Sequence, residues 1–112
     1  MTDAPSRGDL VWLDFDPQLG HEQAGRRPAL VLSGRRYNAA TGMLMACPVT
    51  SQVKGYALEV PLPDTLQTRG VVLANQVRSL DWTRRRLRII EQAPSDVVET
   101  VLDILVAVLE QD

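Results

Sequence analysis

Between residues 16 and 27 the chain reads Asp16-Pro17-Gln18-Leu19-Gly20-His21-Glu22-Gln23-Ala24-Gly25-Arg26-Arg27. Groups able to move a proton (His21, Glu22) lie a few residues from fixed cations (Arg26, Arg27), the pairing that general acid–base chemistry on an anionic substrate requires. Gly20 and Gly25 permit tight turns and close backbone approach. Pro28 biases Arg27 toward extended backbone at the start of a strand. A second group, Pro48-Val49-Thr50-Ser51-Gln52 followed by Lys54-Gly55, sets hydroxyls and an ammonium where another strand ends. A hydroxyl there can bond a phosphate oxygen. Each group alone also suits a polar surface loop, because Ser and Thr at strand ends commonly satisfy local backbone groups. The inventory disfavours a metal enzyme: there is one His, one Cys and no dense carboxylate cluster.

Charge separates along the chain. Residues 91–112 hold six acids and no Lys or Arg, while residues 1–90 hold all 12 bases and 8 acids, a net of +4. Lys54 is the only lysine; the rest are arginines, whose planar fork suits phosphate oxygens and base edges. Such a set either forms one basic face for nucleic acid or decorates strand ends as solvated charge. Trp12, Tyr37, Tyr56 and Trp82 are too few for an aromatic stacking stripe. They are expected in the core, with Trp82 the exception because it flanks the basic run Arg84-Arg85-Arg86.

The elements that must position these groups follow from period and punctuation. Short apolar runs at 9–15, 28–33, 43–50, 56–62, 70–80 and 86–91 predict six strands. Pro48 predicts that the third strand ends, bulges or lies at an edge there, and Asn38-Ala39-Ala40-Thr41-Gly42 reads as a turn before it. After Pro94 the period changes. Val97, Val98, Val101, Leu102, Ile104, Leu105, Val108 and Leu109 recur at helical spacing, predicting a helix over 94–110 whose wide apolar arc packs on the sheet or, in part, on a second subunit. Cys47, inside an apolar run, reads as a small buried hydrophobe. With 112 residues a single domain over 1–112 is expected. No apolar run approaches the ~20 residues that span a bilayer. The polar N-terminus does not read as a signal peptide, and a cytoplasmic protein without a membrane partner is expected.

Gly8-Asp9-Leu10-Val11-Trp12-Leu13-Asp14-Phe15-Asp16-Pro17, then Gly20-His21-Glu22-Gln23-Ala24-Gly25-Arg26-Arg27-Pro28-Ala29-Leu30-Val31-Leu32-Ser33, closely resembles the signature of the MazF (PemK-like) toxin family. The likeness continues through Tyr37-Asn38, Thr41-Gly42, Pro48 to Gln52, Lys54 to Tyr56 and Asn75 to Leu80, in order and at matching spacing. It implies a mainly β fold with a C-terminal helix, an SH3-like small β-barrel of the PemK/CcdB-like kind. It also implies a homodimer, a cognate MazE-like antitoxin whose acidic tail covers an RNA groove, and sequence-specific cleavage of single-stranded RNA without cofactor or metal. By resemblance the family's catalytic arginine falls on Arg27, its catalytic threonine on Thr50 and the loop glutamate on Glu22. Gln76 and Arg78 fall on the strand near the RNA groove. Gln23, Arg26, Ser51, Gln52 and Lys54 join them as expected substrate contacts. His21, the double arginine at 26–27 and the Arg84–Arg86 run depart from the signature.

Metal-free RNA cleavage employs the RNA's own 2′-hydroxyl and leaves a 2′,3′-cyclic phosphate and a 5′-hydroxyl. Arg27 suits charge stabilisation on the phosphorane oxygens, and Thr50 donates to the same phosphate. Arginine keeps its proton and is a poor base. Glu22 is the better base candidate, with His21 or water as alternatives. Three rivals stand beside this reading: a binding toxin of the same fold that poisons its target without cutting, a duplex-DNA repressor, and a degenerate toxin. The absence of a helix-turn-helix pattern weighs against the repressor.

Overall fold

The computed structural model of the chain describes residues 3–15 and 25–111. Two strands, β1 (Asp9–Phe15) and β2 (Gly25–Val31), form an antiparallel hairpin whose register runs from Leu10 opposite Leu30 to Phe15 opposite Gly25. β2 begins three residues earlier than apolar patterning predicts, because Arg26 and Arg27 pair with Asp14 and Leu13 before the buried run starts. A seven-residue helix, α1 (Arg35–Thr41), replaces the turn expected at 38–42. Its Asn38 is fully buried and satisfied: Nδ2 donates to the Pro5 carbonyl at 2.8 Å, and Oδ1 accepts from the Ser33 hydroxyl at 2.6 Å. Gly42, at φ 72, ends the helix by donating to the Asn38 carbonyl.

The long strand β3 (Met43–Thr50) is central. One edge pairs with β2, from Ala29 opposite Pro48 to Val31 opposite Ala46. The other edge is shared. Met43–Ala46 pair with β6 (Arg78–Asp81), and Val49–Thr50 pair with β5 (Val71–Leu73). Pro48 therefore neither ends the strand nor lies at a sheet edge. It falls in the two-residue gap where β3 changes partner, so its missing N–H breaks no ladder bond. The single strand expected over 70–80 is divided at the same place, by a 3₁₀ turn over Ala74–Gln76. Short β4 (Glu59–Pro61) lies outside β5, and β7 (Arg88–Gln92) outside β1. β4 keeps only the later part of the patterned run 56–62, and β7 is shifted from 86–91. Residues 53–57 are drawn into a loop, with Lys54 and Gly55 N–H donating to the Glu59 carboxylate. Arg86, at φ 50, forms a turn before β7 can start.

The hydrogen-bonded order β4-β5-β3-β2-β1-β7, with β6 branching from β3, makes a barrel-like but open antiparallel sheet among the described residues. Alternation sorts its apolar residues into two cores. Leu10, Leu30, Cys47, Val49 and Val72 face the C-terminal helix α2 (Ser95–Glu110), which seals them with Val97, Val98 and Val101. Val11, Leu13, Phe15, Ala29, Val31, Leu44, Ala46 and Leu80 fill the other face. The expected mainly β fold with a C-terminal helix is thus observed. Cys47 is buried, which pushes its thiol up to about 12. Trp12 and Trp82 are half-buried, and Trp82 packs on the second core while its indole N–H donates to the Asn38 carbonyl. Tyr37 and Tyr56, expected inside, are exposed at 42% and 65%: one lies on the outer side of α1, the other in the loop drawn out toward Glu59. No helix among the described residues is long and apolar enough to cross a membrane.

Candidate active site

The β2–β3 register sets the site. Its last pair on this side is Ala29 with Pro48. Arg27 lies two residues beyond Ala29, and Thr50 two residues beyond Pro48, so both extend past the paired segment at the same end of adjacent strands. Side chains two apart share a face. Arg27 follows Ala29 and Val31, and Thr50 follows Ala46 and Pro48, onto the face of the second core. Arg78 joins them: it shares its face with Leu80, pairs with Ala46, and holds its guanidinium 5.6 Å from the centroid of the Phe15 ring. One nitrogen of that guanidinium, Nη1, is buried with no hydrogen-bond partner among the described residues. A half-buried Arg27, a nearly buried Thr50 and a partly unsatisfied Arg78 thus continue an apolar face into a cationic, hydroxyl-bearing end.

Thr50 is fixed on three sides. Its hydroxyl accepts from the Gln52 N–H at 3.1 Å, its backbone pairs with Val71, and its carbonyl lies against Gly70. A Cβ at Gly70 would fall 2.0 Å from the Thr50 carbonyl oxygen, and Gly70 also has φ +112. Only glycine fits. In the sequence this residue reads simply as the start of a strand; a glycine heading a Val-Val-Leu run is the signal available for a close backbone approach.

The other expected contacts divide. Ser51, Gln52 and Lys54 lie exposed in the loop after β3, and Gln76 sits half-buried in the 3₁₀ turn ahead of Arg78. Arg26 goes elsewhere. Alternation turns it to the face opposite Arg27, where Nη1 lies 3.5 Å from an Asp14 oxygen and donates to the Arg86 carbonyl at 2.8 Å. Asp14 is the hub of that corner. Arg86 donates Nε and Nη2 to its two oxygens, both at 2.9 Å, and Arg85 donates to its carbonyl at 2.9 Å. The Arg86 hydrogen bond, with the charges of Arg86 and Arg26, holds the Asp14 carboxyl below its ordinary range despite partial burial. The Arg84–Arg86 run therefore fastens a turn to the hairpin, with Arg84 pairing to Asp81 at 3.8 Å. Glu22, His21 and Gln23 lie outside the described residues. Among those described, no group of three or more His, Cys, Asp or Glu could hold a metal ion.

Comparison with known proteins matches this architecture. Residues 6–109 fit the family model of the PemK-like, MazF-like toxins of type II toxin–antitoxin systems. The chain is 53% identical over 81 residues to the endoribonuclease toxin MazF of Escherichia coli K12, covering 72% of each protein. It is 45% identical over 109 residues to the endoribonuclease toxin ChpB of the same strain, covering 93% of each. Crystalline MazF from Deinococcus radiodurans superposes with a TM-score of 0.93 at 55% identity, over 96% of this chain and 98% of that one. MazF in a MazE–MazF complex from that organism gives 0.87 at 54%, over 97% and 98%. The chain belongs to the PemK-like, MazF-like toxins of type II toxin–antitoxin systems.

Proposed function

We propose that the protein is a single-domain, cytoplasmic endoribonuclease toxin that cleaves single-stranded RNA at specific sequences without a metal, acts as a homodimer, and is held in check by a MazE-like antitoxin. The observation that supports it best is that Arg27 and Thr50 come level at one end of adjacent strands, on the same face as Arg78, whose Nη1 is buried with no hydrogen-bond partner among the described residues. Relatives named as endoribonucleases and the MazE–MazF complexes of D. radiodurans favour the same reading.

The chemistry follows from the groups present. The RNA 2′-oxygen attacks the adjacent phosphorus while a base, Glu22 or His21, removes its proton. The 2′-O–P bond forms, the P–O5′ bond breaks, and the leaving oxygen takes up a proton. Arg27 meets two phosphorane oxygens with its fork and Thr50 donates to the same group, which lowers the barrier where charge develops. Unpaired RNA is required because its bases can be splayed for readout. Arg78, Gln76, Ser51, Gln52 and Lys54 line the path of the RNA, and Gln23, outside the described residues, is proposed as a further contact by resemblance to the family. Arg26 contributes through the Asp14 corner, as support for β2.

Wild type and Arg27→Ala, incubated in EDTA with a long unstructured RNA and with matching single-stranded DNA, test the proposal by end mapping. The expected result is cuts in RNA alone, at a short recurring sequence, with cyclic phosphate ends, lost in the variant. Intact RNA, or equal cutting by Arg27→Ala, would replace the nuclease with a toxin that binds its target without cutting.

A further inference from the structure

Glu91, on β7, lies on the far side of the molecule's connectivity from the site, yet its carboxylate is fully engaged with the loop that leads back to it. One oxygen accepts from the Gln67 N–H at 3.1 Å; the other accepts from the Thr68 N–H and the Thr68 hydroxyl, both at 2.7 Å. Thr68 is 5% exposed, so this clasp closes over a buried hydroxyl. Burial of Glu91 pushes its carboxyl up, and the Thr68 and Gln67 hydrogen bonds outweigh that and hold it below the ordinary value. Two residues after Thr68 comes Gly70, whose carbonyl accepts from the Leu62 N–H at 3.0 Å and which sits so close to the Thr50–Ser51 peptide that a Cβ there would fall 2.0 Å from the Thr50 carbonyl oxygen. The next residue, Val71, pairs with Thr50.

We infer that Glu91 is a positioning residue for Thr50, acting through Thr68 and Gly70. The carboxylate pins the end of the 62–70 loop, the pinned loop seats Gly70 against the Thr50 carbonyl, and that contact fixes where the Thr50 hydroxyl points. A charged acceptor with three donors gives a stiffer anchor than a neutral one. The inference rests on the reading that Thr50 touches the scissile phosphate. A displacement of about 1 Å in such a group costs roughly 100-fold in rate.

Glu91→Ala, Thr68→Val and Thr68→Ser would be compared with wild type for kcat and KM on an RNA carrying the mapped cleavage site, and for the amide resonances of Thr50 and Gln52. The expected result is a kcat at least about ten times lower in Glu91→Ala and Thr68→Val, with KM within about twofold, as for a group acting on the transition state alone. Thr68→Ser keeps the hydroxyl and should retain wild-type kcat. The Thr50 and Gln52 resonances should shift in the first two variants and not in the third. If Glu91→Ala does not fold, the nearly isosteric Thr68→Val and the hydroxyl-retaining Thr68→Ser decide the matter. Unchanged kcat, a change in KM alone, or unmoved Thr50 resonances would overturn the inference. A wild type that leaves RNA whole sinks the nuclease reading instead, and is seen before any variant is compared.

Discussion

Replacing Gly70 by alanine should damage both stability and the site, and the structure supplies the size of the effect. The new Cβ would lie 2.0 Å from the Thr50 carbonyl oxygen, 2.7 Å from its carbon and 2.9 Å from the Ser51 α-carbon, all backbone atoms. Carbon and oxygen in ordinary contact stay more than 3 Å apart, so one of two paired strands must retreat by about 1 Å. Overpacking of this kind costs about 1–3 kcal/mol. The positive φ of Gly70 adds about 1–2 kcal/mol once a side chain is present. A total near 2–5 kcal/mol is a large share of the 5–15 kcal/mol typical of a domain, and should lower Tm by roughly 8–25 °C. Whichever strand retreats, the contact that seats the Thr50 carbonyl is lost, and kcat on RNA should fall about 100-fold. Gly34→Ala is the matched control. Gly34 has φ −75 and nothing within 4 Å of its would-be Cβ, so Tm should change by no more than a few degrees. Calorimetry of the three proteins with parallel cleavage assays tests the argument. A Gly70→Ala protein within 2–3 °C and twofold of wild type would show that the contact neither strains the fold nor places Thr50.

Asp14→Asn should destabilise the protein at neutral pH but much less in acid. The folded-state carboxyl is held below its ordinary value chiefly by Arg86, so its contribution is present above about pH 4 and disappears as pH falls through the depressed value. Denaturation midpoints of both proteins from pH 7 to pH 2 should converge; a gap constant across that range would refute the assignment. Cys47, with its thiol raised to about 12 by burial, should resist a thiol-specific disulfide reagent at pH 8 until denaturant is added. Rapid labelling of the native protein would refute that burial, by showing that β3 opens in the gap where it changes partner. Glu22→Gln should slow cleavage and remove the acidic limb of its pH profile. An unchanged profile moves the base to His21 or to water.

Much of the fold is legible in the residues, and the exceptions share a cause. β1 and β3 coincide with their apolar runs, and α2 starts one residue after the proline that signals it. These elements bury residues at a clear period, so local pattern and tertiary demand agree. What pattern misreads depends on contacts far along the chain. β3 carries two partners on one edge, which splits the 70–80 run and makes Pro48 harmless in a central strand. The 38–42 segment becomes helical around Asn38, whose amide bonds Pro5 from 33 residues away. Of the site, Arg27 and Thr50 were legible as a reactive pair only through their resemblance to a family; their meeting follows from a register that no local signal fixes. Gly70 leaves only the signal of a glycine heading a Val-Val-Leu run, and Glu91 leaves none, since it matters through an acceptor role that makes no pattern in composition.

Arginine content alone leaves two readings of the basic half of the chain, and the structure separates them residue by residue. Arg26 and Arg27 are neighbours in sequence but lie on opposite faces of β2, because a strand alternates. Arg26, Arg85 and Arg86 converge on Asp14, and their charge is spent on tying the 84–87 turn to the root of the hairpin. Arg84 pairs with Asp81, and Arg69 with Asp64 at 3.8 Å. Arg27 and Arg78 instead lie on the face of the second core, Arg27 level with Thr50 on the adjacent strand and Arg78 with its guanidinium over Phe15. The proposed phosphate-binding face is therefore marked less by the number of arginines than by which ones share strand parity with a hydroxyl at the end of a core. That distinction makes a sharp comparison: neutralising Arg84 should leave the salt dependence of RNA binding nearly unchanged, whereas neutralising Arg78 should reduce its slope by about one, the loss of one phosphate contact.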